Sequence, residues 1–238
     1  MKGFRLSLAL AAIVAVQAAC RQLPGNAWQA AVARAARNTP DARIVVLDIA
    51  ANRVLAAHHL AESAHTLAAP GSTLKPLILY QLLSTSRWDP DRRVACDRNL
   101  VVARHRLACT HPAASPFNAR EALAWSCNTY FANVMQRCIN NPKFGSPDSA
   151  LKVWDKYMYA FGLGNKLGID MPSERGGIIP TPRTYNRIYG DGHWNFCTFR
   201  SVSIGQGEVT VTPLQIANEM AYLANKGWYI KPHMIDSI

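Results

Sequence analysis

The sequence predicts a mixed α/β fold of the α+β type, in which helices cover an antiparallel sheet. Three stretches indicate this fold. Residues 26–37 carry apolar side chains at helical spacing, residues 43–49 and 53–57 are two strand-like runs around a short turn, and residues 77–83 form an apolar run typical of a buried helix. A helix, a hairpin and another helix in succession are what a sheet covered by helices requires.

Length and charge narrow the possible functions. With 238 residues, 49% of them hydrophobic, the chain can bury the core of one or two domains. Its 26 Lys and Arg outnumber its 15 Asp and Glu, which gives a formal net charge of +11. The basic residues are scattered and have no aromatic residues between them, a pattern that disfavours nucleic acid as a partner. Attraction to an anionic membrane surface or to acidic wall polymers is the simpler interpretation.

The first residues have the pattern of an export signal. Lys2 and Arg5 precede an uncharged run, residues 6–19, that ends in small side chains. We therefore expect residues 1–19 to be a signal peptide or an N-terminal membrane anchor, and residues 20–238 to form the domain. Lipid attachment at Cys20 is an alternative. The expected location is outside the cytoplasm, at the periplasmic face of the inner membrane, either anchored or secreted.

The cysteines predict a cross-link in the middle of the chain. Cys96 and Cys109 flank a basic, loop-like segment, and we expect a disulfide to close it. With His105 and His111 the same segment offers Cys, His, Cys and His, so a structural zinc site is the alternative. Five cysteines follow Cys20, and this odd number leaves at least one thiol free.

Further helices are predicted in the second half of the chain. Asn118 and Glu121 have the spacing of a capping box, and the predicted helices cover residues 119–125, 129–138 and 147–161. Residues 164–194 are rich in Gly, Pro and Tyr, which predicts long loops.

The last predicted helix has the clearest start signal. Thr212 is placed to cap it, Pro213 takes the first helical position and Gln215 completes a capping box, so the helix is expected to run to Gly227. The apolar residues 228–230 then predict the start of a strand.

One short motif carries a chemical signal. Pro70 and Gly71 break the chain before Ser72, and Lys75 follows one helical turn later on the same face. A serine hydroxyl is a weak nucleophile, but a lysine kept neutral by burial can take its proton as it attacks a carbonyl. This spacing is also common at solvent-exposed helix starts. The motif therefore indicates catalysis only together with further motifs that could supply the other catalytic residues.

Two such motifs follow in order along the chain. Residues 126–128 are Ser-Cys-Asn, and residues 203–208 are Ser-Ile-Gly-Gln-Gly-Glu, followed by Thr-Pro-Leu-Gln at 212–215. With the Ser72 motif they resemble the transpeptidase domain of the class B penicillin-binding proteins, most closely the elongation type, over roughly residues 41–238. The resemblance implies the penicillin-binding transpeptidase fold, which serine β-lactamases share.

The resemblance also implies a role for four side chains. Ser72 would be the acylated nucleophile and Lys75 the group that activates it. Ser126 would relay a proton toward the leaving or acceptor amine, and Asn128 would bind the substrate amide or hold Lys75. Backbone N–H groups, that of Ser72 among them, would form an oxyanion hole. No cofactor and no metal are expected in this chemistry.

The implied function is a serine-type D-Ala-D-Ala transpeptidase or carboxypeptidase of cell-wall synthesis. It would crosslink peptidoglycan stem peptides through an acyl-enzyme on Ser72, and β-lactam antibiotics would acylate the same serine. Expected partners are stem peptides, β-lactams and membrane-bound wall-synthesis proteins. A serine β-lactamase and a non-catalytic β-lactam-binding sensor module are the alternatives.

The sequence departs from the family at one motif. The family's Lys-Thr/Ser-Gly strand does not occur up to Ile238, and Asn225-Lys226-Gly227 lies at a predicted helix end and does not replace it. The resemblance therefore implies a domain that is incomplete at its C-terminal end, without the large N-terminal region of class B enzymes.

Overall fold

The computed structural model describes residues 25–86, 88–96, 98–102, 105–112 and 115–234. The predicted signal segment, residues 1–19, lies outside them. In chain order the α-helices of the described part are α1 Gly25–Ala36, α2 Leu60–His65, α3 Lys75–Thr85, α4 Ala119–Ala124, α5 Asn128–Ile139, α6 Pro147–Ala160, α7 Pro182–Tyr189, α8 Phe196–Phe199 and α9 Pro213–Ala224. The strands are β1 Ile44–Leu47, β2 Val54–His58, β3 Asn99–Val102 and β4 His105–Ala108, and 3₁₀-helices cover Gly71–Leu74, Pro142–Phe144 and Arg200–Ile204.

The described residues form two compact units. The first unit contains the residues up to 68, residues 161–177 and the residues from 211 onward. The second unit contains residues 69–160 and 178–210.

The first unit is a hairpin covered by helices. Strands β1 and β2 pair antiparallel, with Ile44 opposite His58 and a register shift after Val46. Helix α1 packs against β2, and α9 packs against β1. On α1, Val32 and Ala36 are buried. The predicted hairpin and the predicted helix before it are confirmed, and with them the α+β class.

Helix α9 begins as its sequence predicts. The Thr212 hydroxyl accepts the backbone N–H of Gln215 at 3.2 Å, and the Gln215 side-chain oxygen accepts the backbone N–H of Thr212 at 2.9 Å. The Gln215 amide also donates to the carbonyls of Gly162 and Asn165, at 3.1 and 2.8 Å. The capping box therefore satisfies the first helical N–H groups and ties the helix start to a neighbouring loop.

The second unit is built around α5. Helix α5 packs against α3, α6 and the 3₁₀-helix Arg200–Ile204, and most of its side chains are buried. The largest fully buried side chains of this unit include Trp154, Tyr130, Tyr185, Lys75, Phe131 and Phe199. Lys75 is the one charged side chain in that group, so the core of this unit encloses an ionisable amine.

The expected loop between Cys96 and Cys109 is wrong. The segment forms a second hairpin, in which β3 pairs antiparallel with β4 and Leu100 lies opposite Leu107. Leu107 is buried, whereas Arg106 and Ala108 are exposed. Arg106, one of the basic residues that suggest a loop, lies on the exposed face of this hairpin, where strands tolerate charge.

The prediction of loops over residues 164–194 is wrong at one helix. Helix α7 begins there at Pro182, after Thr181, which is the same start signal that opens α9. Tyr185 is fully buried, with its ring 5.3 Å from that of Trp194 and 5.6 Å from that of Phe199. Burial of these rings stabilises a helix that the surrounding Gly and Pro residues obscure in the sequence.

The strand expected at residues 228–230 does not form in the structure. The chain pairs with the first hairpin slightly later, where His233 forms an isolated parallel bridge with Arg53. The carbonyl of His233 accepts the N–H of Val54 at 2.9 Å. Within the described residues, no helix combines the length and the apolar character needed to cross a membrane.

Replacing Thr212 with Ala removes the hydroxyl that accepts the N–H of Gln215. We expect this change to lower the free energy of unfolding by about 1 kcal/mol, a common cost of losing an N-cap. Urea unfolding of the full chain measures it, and Thr212→Ser, which keeps the hydroxyl, is the matched control. Equal stability of Thr212→Ala and the parent chain would contradict the role given to the cap.

Candidate active site

The candidate nucleophile lies at the start of a helix in the second unit. Ser72 is in the 3₁₀-helix Gly71–Leu74, which continues directly into α3 at Lys75. The first turn that the sequence predicts is therefore a 3₁₀ turn. Ser72 is exposed and Lys75 is fully buried, so the hydroxyl is open to a substrate while the amine is enclosed.

The amine of Lys75 is held by three oxygen atoms. Its Nζ donates to the carbonyl of Ser126 at 2.8 Å, to the hydroxyl of Ser126 at 2.8 Å and to Oδ1 of Asn128 at 2.7 Å. An ammonium group has three N–H donors, and this arrangement gives each of them an acceptor. The ring of Phe131 adds a cation–π contact, with its centroid 5.5 Å from Nζ.

Burial changes the acidity of this amine. It lowers the pKa of Lys75 from 10.5 to about 8, and the nearby Cys127 and Cys109 thiols act in the opposite direction. An amine with a pKa near 8 is neutral in roughly one molecule in ten at pH 7. The site therefore contains a base that is available near neutral pH.

Ser126 connects this amine to the candidate nucleophile, Ser72. Its hydroxyl donates to the hydroxyl of Ser72 at 2.8 Å and accepts from Lys75. Ser126 has a left-handed backbone, with φ of +52°, between the end of α4 and the start of α5. A non-glycine residue in this conformation is uncommon and often marks a functional site. The bend places both its carbonyl and its hydroxyl against the same amine.

Asn128 is fixed from both ends of its side-chain amide. Its Oδ1 accepts from Lys75, and its Nδ2 donates to the carbonyl of Ala108 at 2.7 Å. Ala108 is the last residue of β4, so the second hairpin orients this amide. The resemblance implies two roles for Asn128, and the structure shows the contact needed for one of them, which is to hold Lys75.

The Gly-Gln-Gly motif lies directly against the start of the nucleophile segment. The carbonyl of Gly205 accepts the N–H of Gly71 at 2.8 Å. A Cβ atom added to Gly205 would lie 1.8 Å from the carbonyl oxygen of Gly71. The absence of a side chain at Gly205 therefore allows a close approach of the two backbones, and the approach is to the residue before Ser72.

The expected disulfide between Cys96 and Cys109 is wrong. Their Sγ atoms lie 3.6 Å apart and both thiols are free, whereas a disulfide requires about 2.05 Å. The thiols instead converge with His111 and Cys127. The donor atoms of these four residues are buried and all lie within 4.8 Å of one another.

These four residues could hold a metal ion. Three Cys and one His are a donor set that suits zinc, and sulfur ligands about 2.3 Å from a tetrahedral zinc lie roughly 3.8 Å apart. The sulfur of Cys109 is 3.6 Å from that of Cys96 and 4.0 Å from that of Cys127. The geometry favours the zinc alternative, but with a different fourth ligand. Cys127 takes the place that the sequence suggested for His105, whose side chain is not among those described.

Thr129 orients one of these thiols. Its hydroxyl lies 3.6 Å from the sulfur of Cys109, and its backbone N–H donates to that sulfur at 3.5 Å. Burial acts to raise the pKa of the Cys109 thiol, but the hydrogen bonds with Thr129, Cys96 and Cys127 together outweigh it and the pKa is lowered. A more acidic thiol is a better metal ligand, because the thiolate is the form that binds.

The structure thus brings together all four residues predicted for the site, and all four lie in the second unit. The sequence did not reveal two neighbours of the site: the carbonyl of Ala108 and the thiol of Cys127. Cys127 stands between Ser126 and Asn128, and that position is the signal that could have identified it.

Two relatives are similar in sequence over part of the chain. The peptidoglycan D,D-transpeptidase MrdA of Acinetobacter baumannii is 36% identical over 121 residues, which are 50% of this chain and 16% of that protein. Penicillin-binding protein H of Bacillus subtilis is 29% identical over 154 residues, 63% of this chain and 20% of that protein. The matched residues thus span a fifth or less of either relative.

Two solved structures share the fold. Pseudomonas aeruginosa PBP2, in complex with WCK 5153, superposes with a TM-score of 0.70 at 22% identity, over 87% of this chain and 52% of that one. Helicobacter pylori PBP2 gives a TM-score of 0.69 at 19% identity, over 84% of this chain and 42% of that one. These likenesses confirm the penicillin-binding transpeptidase fold expected from the motifs.

The family described as the penicillin binding protein transpeptidase domain matches residues 39–238. That range contains the Ser72 motif, the Ser-Cys-Asn motif and the Gly-Gln-Gly motif. The chain therefore belongs to the penicillin-binding protein transpeptidase family.

Proposed function

We propose that this chain is the catalytic part of a D,D-transpeptidase that crosslinks peptidoglycan stem peptides through an acyl-enzyme on Ser72. The observation that carries the proposal is the hydrogen-bonded series from the exposed Ser72 hydroxyl, through Ser126, to the buried amine of Lys75. The name of the Acinetobacter baumannii relative supports the reaction class.

Acylation follows from this series. With Lys75 neutral, Ser126 passes its own proton to Nζ and receives the proton of Ser72, whose oxygen attacks the carbonyl carbon of the penultimate D-Ala. A C–O bond forms and the C–N bond to the terminal D-Ala breaks. The leaving amine takes a proton back from Lys75 through Ser126, and the lysine is neutral again.

Deacylation runs along the same series in reverse. The amine of a neighbouring stem peptide attacks the ester on Ser72 and gives up a proton through Ser126 to Lys75. When the C–O bond breaks, Ser72 recovers that proton and a new amide bond is left between the two stems. Attack by water in place of the amine would give the carboxypeptidase reaction.

A β-lactam fits the same chemistry, since it presents a strained amide to Ser72. Ring opening leaves the amine attached to the acyl group, so the leaving group does not diffuse away. Fast hydrolysis of this ester, as in a β-lactamase, needs a dedicated base, and the sequence has no motif that supplies one. This favours the transpeptidase over the β-lactamase alternative.

The proposed location is the periplasmic face of the inner membrane, reached through the export pattern at residues 1–19. Stem peptides and β-lactams are the proposed ligands, and membrane-bound wall-synthesis proteins the proposed partners. Helicobacter pylori PBP2 has been solved in complex with MreC, which supports partners of that kind. The net charge of +11 favours acidic wall polymers over nucleic acid.

The cluster of Cys96, Cys109, His111 and Cys127 is proposed as a structural zinc centre beside the site. When bound, zinc would supply a cross-link and no step of the reaction. Cys109 follows β4 directly and Cys127 precedes α5 directly. A metal held by both would therefore keep the carbonyl of Ala108 within reach of Asn128.

A fluorescent penicillin tests the nucleophile. We expect covalent labelling of the full chain and none of Ser72→Ala, because the ester forms on the Ser72 oxygen. Gel fluorescence after denaturation measures it, and Ser86→Ala, which removes a hydroxyl from the residue after α3, is the control that should still be labelled. Equal labelling of the parent chain and Ser72→Ala would defeat the proposal, and rapid nitrocefin turnover would favour the β-lactamase.

The rate of labelling should depend on pH through Lys75. The base must be neutral, and its pKa is about 8. We expect the acylation rate to rise about tenfold per unit below pH 8 and to level off above it, because the neutral fraction follows that course. Stopped-flow labelling from pH 6 to 9.5 measures the profile, and Lys75→Arg should be inactive throughout. A flat profile over this range would contradict the assigned base.

The metal centre makes a separate prediction. We expect the purified chain to contain about one zinc ion by elemental analysis, and Cys109→Ser to lose most of it. Cys197→Ser is the matched control, because Cys197 lies outside the cluster. Removing the metal with a chelator should lower the melting temperature of the parent chain. Equal zinc content in the parent chain and Cys109→Ser would exclude the centre.

A further inference from the structure

We infer that Tyr185 and Glu208 are positioning residues for the nucleophile: they hold the turn Gly205-Gln206-Gly207-Glu208 that sets Gly71, and through it Ser72. The inference rests on the proposed function, since it concerns the same serine. Both residues would act on Ser72 through the backbone of this turn and of Gly71.

The first step is the contact between the turn and the nucleophile segment. It is backbone against backbone: the N–H of Gly71 donates to the carbonyl of Gly205, and no side chain lies between them. The distance of 1.8 Å from a Cβ built on Gly205 to the carbonyl oxygen of Gly71 shows how close this contact is. A flexible side chain could absorb a shift of the turn, but a backbone contact passes it on to Gly71.

The second step is how the turn is held at its beginning. Gly205 ends the 3₁₀-helix Arg200–Ile204 with a left-handed backbone, and its N–H donates to the carbonyl of Val202 at 2.9 Å. The N–H of Gln206 donates to the carbonyl of Ser201 at 3.0 Å. That 3₁₀-helix packs against α5, so this end of the turn is anchored to the core.

The third step is how the turn is held at its end. The hydroxyl of Tyr185 donates to Oε2 of Glu208 at 3.0 Å. Tyr185 is fully buried and packs against the rings of Trp194 and Phe199, so its hydroxyl has a fixed position. Burial and then the charge of Glu208 raise the pKa of Tyr185, which keeps the hydroxyl protonated as a donor. A hydrogen bond to a carboxylate is among the stronger kinds.

Losing the hydrogen bond between Tyr185 and Glu208 should slow the acylation of Ser72, an effect distinct from a loss of folding stability. Loosening the end of the turn frees Gly71 and misplaces the Ser72 oxygen relative to the bound carbonyl. A misplacement of about 1 Å can cost a hundredfold in rate. The remaining contacts at Gly205 and Gln206 limit the shift, so the expected loss is smaller.

The experiment measures acylation by a fluorescent penicillin in Tyr185→Phe, Glu208→Ala and Glu208→Gln, with the binding constant and the acylation rate constant separated by stopped flow. We expect the first two variants to acylate about tenfold more slowly with an unchanged binding constant. Glu208→Gln keeps an acceptor oxygen and should retain most of the rate. Tyr185→Phe combined with Glu208→Ala should be no slower than either alone, because both remove the same hydrogen bond.

Matched controls separate positioning from general damage. Tyr189→Phe removes a hydroxyl from an exposed side chain of the same helix, and we expect it to acylate at the parent rate. Gly71 and Gly205 both have positive φ, but only at Gly205 would a Cβ meet another atom within 4 Å. Gly205→Ala should therefore lose far more acylation than Gly71→Ala.

Hydrogen exchange of the Gly71 amide gives a readout independent of penicillin. It should be faster in Tyr185→Phe and Glu208→Ala than in the parent chain and Glu208→Gln. No labelling of the parent chain would defeat the proposed function, while the exchange result would still decide whether the turn is held as inferred. Parent-like acylation and exchange in Glu208→Ala, or a slower rate explained by weaker binding alone, would overturn the inference.

Discussion

The site depends on burying the amine of Lys75 among uncharged oxygen atoms. A buried ammonium group needs either an opposite charge or several hydrogen bonds. Lys75 has three hydrogen bonds, to two oxygens of Ser126 and one of Asn128. These acceptors hold the amine in one position, while burial makes it easier for the amine to lose its proton. The same burial thus fixes the base and gives it a pKa suited to neutral pH.

Much of the second unit places the groups around this amine. Ser72 and Lys75 lie on one continuous helical segment, so their spacing is local. Ser126 depends on a left-handed bend between α4 and α5, and Asn128 depends on the carbonyl of Ala108 at the end of β4. The carbonyl of Gly205 accepts the N–H of Gly71 and so holds the residue that precedes Ser72. Ser72, Ser126 and Lys75 are therefore held by segments that come from distant points of the chain.

Sequence reasoning was most successful where a signal is local. The capping boxes at Asn118 and Thr212, the first hairpin and the helix after Ser72 are present in the structure. Sequence reasoning failed where a local sequence pattern had its cause in the tertiary structure. Basic residues between Cys96 and Cys109 suggested a loop, although the segment forms a hairpin and Arg106 lies on its exposed face. The same two cysteines suggested a disulfide because two thiols close in sequence often pair. In the structure, however, the thiol of Cys127 and the imidazole of His111 lie beside them.

The sequence by itself determined the helix starts, the hairpin turn, the one-turn spacing of Ser72 and Lys75, and the family to which the motifs belong. These features depend on backbone hydrogen bonds and side chains within a few residues of each other. Only the tertiary structure decided that the hydroxyl of Ser126, 54 residues from Ser72, bridges it to Lys75, that Cys127 joins the cluster of Cys96, Cys109 and His111, and that Tyr185 reaches Glu208. Such contacts depend on how helices and strands pack, because packing alone brings residues so far apart in the chain within hydrogen-bonding distance.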